Sequence, residues 1–240
     1  MGNRLVPLTN HIPKCMIKLG RKSLLERAIE NLRSCNIKDI TVVTGYCSNK
    51  INFPNITYFK NEQFNATGMN ETLFCARKKL NDSVIILYSD IVYEKKFIQQ
   101  ILNFEGDFGI AVKSKWQEAY VGRTDHPHSE AENVVIENNK ILEIRKNIVE
   151  SGPRQMLAEF LGVVKVSKKG SHILVEKYDK LSKSHKGKFH NATSLKKAYL
   201  TDMIQELIDS GYFIRPIFID AKWDEIDTTQ DFKRAKKFFK

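Results

Sequence analysis

The sequence predicts an α/β fold: a mixed, mostly parallel sheet with helices on both faces. Three observations carry that expectation. Helix-period and strand-period segments alternate through the first half, as crossover units require. The run VIILY at 84–88 is apolar at every position, as in a strand buried on both faces. The second half adds a hairpin pattern at 134–145, VVIE-NN-KILEIR, whose two-residue turn marks an antiparallel excursion.

The elements follow in order. Residues 23–35 read as a helix, because Ser23 and Glu26 form a capping box and Leu24, Leu25, Ala28, Ile29 and Leu32 recur at helical spacing. DITVVT at 39–44 is a β-branched strand that stops at Gly45, and 56–59 is a second short strand. Residues 70–80 carry a helical period through Leu73, Ala76, Arg77 and Leu80. The strand at 84–88 runs into Ser89-Asp90, followed by a helix at 95–102 and a strand at 108–112. After the hairpin come a strand at 160–166, a helix at 168–181 and a polar, Lys-, His- and Ser-rich stretch at 182–193 expected to be a mobile loop. Residues 194–210 predict an amphipathic helix with Leu195, Ala198, Tyr199, Ile204, Leu207 and Ile208 on its apolar face and Gly211 as its C-terminal stop. A strand at 213–219 and a helix from Thr228 or Thr229 close the chain. One domain over 1–240 is expected, with a β-rich, acceptor-binding elaboration at about 113–195.

Composition narrows the function classes. At 240 residues, 42% hydrophobic and 28% charged, the chain can bury a large core and is not a disordered sequence. No apolar run reaches the ~20 residues needed to span a bilayer, and no signal peptide opens it, so a cytoplasmic location is expected. Cys15, Cys35, Cys47 and Cys75 are scattered, without the clustering that a zinc site or a disulfide framework demands. The net charge of +11 is spread along the chain, with small clusters at 77–79 and 233–240. A nucleic-acid binder concentrates such charge among stacking aromatics; a dispersed Lys-rich surface instead favours small anions. Nucleic acid is therefore not the expected partner, and a homodimer is left open.

Two acidic positions stand out. Asp90 ends an apolar strand, where an unpaired carboxylate is costly, and ligands of open α/β sheets bind beyond such strand ends. Asp227 lies in WDEIDT, between the last strand and the last helix, where capping of that helix is the competing role. Converging from distant strand ends, the two suit Mg²⁺, a hard cation taking one or two protein carboxylates plus phosphate oxygens. Near the start, Gly2 and Arg4, with Lys14 further on, place cations and a permissive backbone where a polyphosphate can approach. His126 and His128 sit among Asp125, Glu130 and Glu132, an H-x-H pair with surface and metal readings.

These motifs carry a resemblance. GNRLVPLT…PK, GRKSLLERAIENL and IKDITVVTGY resemble the opening of the sugar-phosphate and cholinephosphate nucleotidyltransferases; LYSD resembles their metal-aspartate strand, and ILEIRK the strand whose lysine meets the acceptor phosphate. AYLTDMIQELIDSG and WDEIDTTQDFKRA resemble their closing helix and second metal aspartate, and AYVGRTDHPHSEAENV is similar to a stretch of cytidylyltransferase domains associated with phosphoenolpyruvate mutase and phosphonate biosynthesis. The resemblance implies a Rossmann-like three-layer nucleotidyltransferase fold. It assigns Gly2 and Arg4 to the triphosphate, Lys14 to the α-phosphate, Thr67 and Gly68 to the base, Asp90 and Asp227 to Mg²⁺, and Lys146 to an acceptor phosphate or phosphonate. Arg123 is expected to pair with an anionic head group, and Glu130, Glu132 or Glu159 with an ammonium. Trp116 and Tyr120 are packing residues first, with a quaternary ammonium as their other use.

The implied reaction is CTP plus a phosphonate or phosphocholine-type acceptor giving a CMP-linked product and pyrophosphate. The alternatives are a sugar-1-phosphate nucleotidyltransferase using another triphosphate, a catalytically inactive nucleotide-binding paralogue and a basic nucleic-acid-binding protein. The family's opening strand and first glycines have no counterpart before Gly2, so either a start site upstream, the favoured expectation, or a truncated and crippled form is implied.

Overall fold

The computed structural model describes residues 3–148 and 152–239. Helix α1 spans Leu24–Ser34, α2 Met69–Cys75, α3 Lys95–Leu102, α4 Lys168–Ser184, α5 Leu200–Asp209 and α6 Thr229–Phe238. The strands are β1 (Lys18–Leu19), β2 (Lys22–Ser23), β3 (Thr41–Thr44), β4 (Thr57–Lys60), β5 (Val84–Leu87), β6 (Ile91–Tyr93), β7 (Phe108–Lys113), β8 (Glu132–Glu137), β9 (Lys140–Lys146), β10 (Met156–Val166), β11 (Ile214–Phe218) and β12 (Trp223–Glu225).

The main sheet runs β11-β7-β10-β8-β9, with β5 also paired to β10. Alternation along each strand sends side chains to opposite faces and so builds two cores. Ile110, Val112, Val164 and Val166 pack with Leu174 and Tyr178 of α4 and Met203, Ile204 and Leu207 of α5. Ala111, Leu161 and Val163 pack on the other side with Leu25, Ile29 and Leu32 of α1 and Phe97, Ile98 and Ile101 of α3. Helix, sheet and helix form three layers, as expected.

The parallel share of the sheet is smaller than helix–strand alternation suggests. Among the described residues the parallel pairs are β3–β4 and β11–β7, and the other ladders are antiparallel. The cause is β10. Its first half pairs with β8 and its second half with β5, while β7 follows its other edge. The switch falls at a register shift between Phe160 and Val164, where Gly162 adopts φ 74°. A Cβ at Gly162 would also come within 2.8 Å of the Tyr88 ring, so both conformation and space demand glycine. Neither β3 nor β5 has a ladder partner on its second edge among the described residues, and β5 is only partly buried.

The β-rich region extends the main sheet. The β8–β9 hairpin, turning through Asn138 and Asn139 at φ 49° and 60°, is continuous with the main sheet through β10. Of the expected span 113–195, β10 and α4 belong to the central layers. The stretch expected to be a mobile loop is instead anchored: Phe189 is buried and bridges Ala192, and His185 bonds the Lys188 carbonyl. The predicted helix over 194–210 begins at Leu200, after a 3₁₀ turn at Leu195–Lys197, and leaves Tyr199 exposed rather than on the apolar face. Residues 70–80 likewise divide into α2 and a 3₁₀ turn at Arg77–Lys79. No helix among the described residues is long and apolar enough to cross a membrane.

Candidate active site

A short ladder brings Asp90 and Asp227 together. Antiparallel β6 and β12 pair Ile91 with Glu225, and the next rung is the hydrogen bond from Ile226 N–H to the Asp90 carbonyl at 3.0 Å. Asp90 precedes β6 and Asp227 follows β12, so both carboxylates leave the same end of the ladder. Asp227 is fixed further by helix α6. Thr228 and Asp231 form its capping box, and Asp231 Oδ2 also accepts from the Asp227 N–H at 3.2 Å.

Between the two aspartates lies the Lys14 ammonium. It donates to Asp90 Oδ2 at 2.7 Å and to Asp227 Oδ1, while Arg4 donates to Asp227 Oδ2 at 2.8 Å. Burial opposes charge on Lys14, but Asp90 and Asp227 outweigh it and raise its pKa. Burial likewise opposes charge on Asp227, and Lys14, Arg4 and His126 reverse the balance and lower its pKa. Asp90 Oδ1 is buried without a hydrogen-bond partner, leaving acceptor capacity on that carboxylate.

A third carboxylate belongs to the cluster. Glu225 is partly buried, and its pKa is raised by burial and by neighbouring Asp227 and Asp90. Ligand atoms of His126, Glu225 and Asp227 lie within 4.8 Å of one another. Glu225 was not singled out from the sequence, although strand alternation in WDEID places residues 225 and 227 on one face. That periodicity was the available signal. His126, buried at 2% exposure, lies 3.7 Å from Asp227 Oδ2 and 3.0 Å from Arg123 Nη2. His128 packs against Trp116 and Tyr120 instead.

Next to this centre, Lys146 donates to Glu130 Oε2 at 3.1 Å and lies across the ladder from Glu132. Glu132 accepts from Thr201 Oγ1 at 3.1 Å and from the Tyr88 hydroxyl at 3.3 Å. Burial pushes its pKa up to about 7 against those two hydrogen bonds and Lys146. The pKa of Glu130 is lowered by the Lys146 hydrogen bond and charge, with Arg4 and His126 adding to the effect. Tyr199, at the N-terminal end of α5, is half exposed and within electrostatic reach of Lys146.

Four residues expected at the site are engaged elsewhere. Arg123 is not presented to a ligand: it is buried, donates from Nε to Asp231 Oδ1 at 2.9 Å, and covers the Tyr120 ring at 4.5 Å. Its neighbour Asp231 was invisible as a partner, being 108 residues away. The N–H of Gly68 bonds the Lys196 carbonyl at 2.7 Å, and a Cβ there would collide with the carbonyl oxygens of Lys197 and Ala198, so the glycine serves close backbone packing. The hydroxyl of Thr67 is engaged by Gln63 and Asn61 rather than left for a base. Glu159 is buried at 3% exposure, accepts from the Tyr120 hydroxyl at 2.5 Å, and is pushed up to about 7 by burial. Gly2 lies outside the described residues.

The donor set suits a hard divalent cation: carboxylate oxygens from two strand ends, with a third carboxylate adjacent and cations placed for phosphate oxygens. The residues therefore fit Mg²⁺, which Asp90 and Asp227 would hold.

Comparison with known proteins agrees with this architecture. A CTP:phosphoglutamine cytidylyltransferase from Campylobacter jejuni is 29% identical over 241 residues, spanning 96% of this chain and 93% of that protein. The bifunctional protein GlmU of Methanocaldococcus jannaschii is 25% identical over 244 residues, 99% of this chain but 52% of that protein. Among solved structures, the CTP:phosphocholine cytidylyltransferase of Streptococcus pneumoniae superposes with a TM-score of 0.74 at 17% identity, covering 100% of this chain and 95% of that one. The model of the MobA-like NTP transferase domain matches residues 2–164. The chain belongs to the MobA-like NTP transferase family.

Proposed function

We propose that this protein transfers CMP from CTP to a small phosphorylated acceptor, releasing pyrophosphate, with Mg²⁺ held by Asp90 and Asp227. The observation that carries the reading is the meeting of Asp90, Asp227, Lys14 and Arg4 at one end of the β6–β12 ladder. Bound there, the metal would neutralise phosphate charge and orient the triphosphate. Arg4 and Lys14 would bind the polyphosphate oxygens and stabilise the charge that develops as pyrophosphate leaves. No covalent enzyme intermediate is needed: the acceptor oxyanion attacks the α-phosphorus as the bond to pyrophosphate breaks. Orientation and charge neutralisation supply the rate.

The acceptor subsite is read from Lys146 and Glu132. Lys146 offers an ammonium for a phosphate or phosphonate, and Glu132 a carboxylate across the ladder, held by Tyr88 and Thr201. A small zwitterion with a phosphoryl group and an ammonium a few ångströms apart matches both charges. CTP is favoured because the Campylobacter jejuni relative, similar along nearly the full length of both chains, uses it by name. The acceptors named for the relatives, phosphoglutamine and phosphocholine, share a phosphoryl group and a nitrogen-bearing tail.

The test is pyrophosphate release from a matrix of CTP, UTP, dTTP, ATP and GTP against phosphocholine, 2-aminoethylphosphonate, phosphoglutamine and glucose 1-phosphate. The reading expects CTP to lead and the nitrogen-bearing acceptors to exceed the sugar phosphate. Preference for glucose 1-phosphate with UTP or dTTP would replace it by a sugar-1-phosphate reaction. Nucleotide binding without turnover on any acceptor would mark an inactive paralogue.

A further inference from the structure

The Lys14 ammonium and a divalent cation compete for the same carboxylate oxygens. Lys14 Nζ is bonded to Asp90 Oδ2 and Asp227 Oδ1 at once, with its side chain only 17% exposed. A metal ion that ligates both aspartates takes the place between them that Lys14 Nζ holds, even where it uses the unpartnered Asp90 Oδ1, and an ammonium and Mg²⁺ cannot share that place: both are cations, and their repulsion in a partly buried site is large.

We propose that Lys14 couples metal binding to nucleotide binding, by holding the two aspartates as an internal counter-ion until a triphosphate takes its ammonium away. This rests on the reading of Asp90 and Asp227 as the metal ligands. Metal alone must displace Lys14 and leave a cation without its partners, so its apparent affinity is reduced by the fraction of molecules in which Lys14 is already elsewhere. A triphosphate gives the displaced ammonium new anionic partners, and the penalty disappears. Metal and nucleotide therefore strengthen each other's binding, a coupling that is reciprocal by linkage. Arg4, bonded to Asp227 Oδ2, is a second cation at the same carboxylate; it contacts the other oxygen and leaves the bridge to Lys14. The device also guards the acidic cluster, because Asp90, Asp227 and Glu225 without a cation among them would repel one another.

The experiment measures Mn²⁺ binding, without nucleotide, to wild type, Lys14→Met, Lys14→Gln and Asp90→Asn, with circular dichroism and melting to confirm folding. Removing the internal competitor is expected to tighten Mn²⁺ about tenfold in both lysine variants, which corresponds to a bridge broken about one-tenth of the time in wild type. A second readout uses wild type alone: ¹³C-labelled lysine NMR, in which Mg²⁺ added with a triphosphate should shift the Lys14 signal far more than Mg²⁺ alone. Equal or weaker Mn²⁺ binding in the lysine variants, with binding lost in Asp90→Asn, overturns the coupling and leaves the metal site standing. Mn²⁺ binding that Asp90→Asn does not weaken overturns both.

Discussion

Glu159 is a buried acid, outside the Asp90–Asp227 cluster, whose chemistry departs from its usual solution behaviour. It is an acid at 3% exposure whose pKa is pushed up to about 7, burial being the first cause. The free carboxyl titrates near pH 4.3, so between there and pH 7 the folded protein binds a proton that the unfolded chain has released. Stability contributed by this group is present at low pH and is lost as pH rises through the folded value. The loss amounts to at most about 4 kcal/mol, fully expressed above neutrality. Denaturant unfolding of wild type and Glu159→Gln at pH 5.5 and pH 8 checks it. The variant should lose less stability across that range than wild type, and an identical pH dependence would remove the buried proton from Glu159. At this scale the sequence was partly legible. Asp90, Asp227, Lys14 and Arg4 were visible as types at meaningful places, because strand ends and loop cations are local features. Glu225 was overlooked although its alternation with Asp227 was readable. The ion-pair partner of Arg123 and the backbone partner of Gly68 were not readable, because each lies more than 100 residues away in the chain.

Helix α6 is the element that aims Asp227, and its N-terminus is clasped from outside. Asp231 caps the helix through Thr228, takes the Asp227 N–H, and is itself held by the buried guanidinium of Arg123. His126 sits beside the same pair, with Nδ1 3.5 Å from Asp231 Oδ2. Strong favourable interactions with His126, Arg123 and Thr228 overcome burial and lower the pKa of Asp231. Truncating one side of a buried ion pair strands the other charge, at a cost of ~3–5 kcal/mol. Arg123→Met is therefore expected to lose about that much stability in chemical denaturation, whereas a surface arginine such as Arg21 can be replaced with little change. A loss below about 0.5 kcal/mol would return Arg123 to the surface class. The helix start at Thr228 was legible from its cap, and the capping box of α1 from Ser23 and Glu26. The partial reach of α2 and the late start of α5 were not, because a 3₁₀ turn and an α-helix share the same short apolar spacing.

For the whole molecule, three layers and one site follow from where the sheet breaks. The alternation of helix and strand correctly implied helices on both faces, since each strand needs two buried sides. Strand direction was less legible: β10 runs antiparallel to three neighbours by changing partners at Gly162, a long-range arrangement that no local pattern encodes. The consequence is functional. β5 leads the chain to Asp90, and β12 returns it to Asp227 across the two-stranded ladder with β6, so two residues 137 positions apart meet at the Lys14 ammonium.

That convergence is tested most directly by Mg²⁺-dependent pyrophosphate release from CTP and the preferred acceptor in Asp90→Asn and Asp227→Asn. Each substitution keeps shape and removes one carboxylate charge, so each should lower turnover by at least about a hundredfold while the protein stays folded, a loss typical of removing one electrostatic contact to the transition state. Turnover within a few-fold of wild type in either variant, with Mg²⁺ still required, would contradict the shared-cation site.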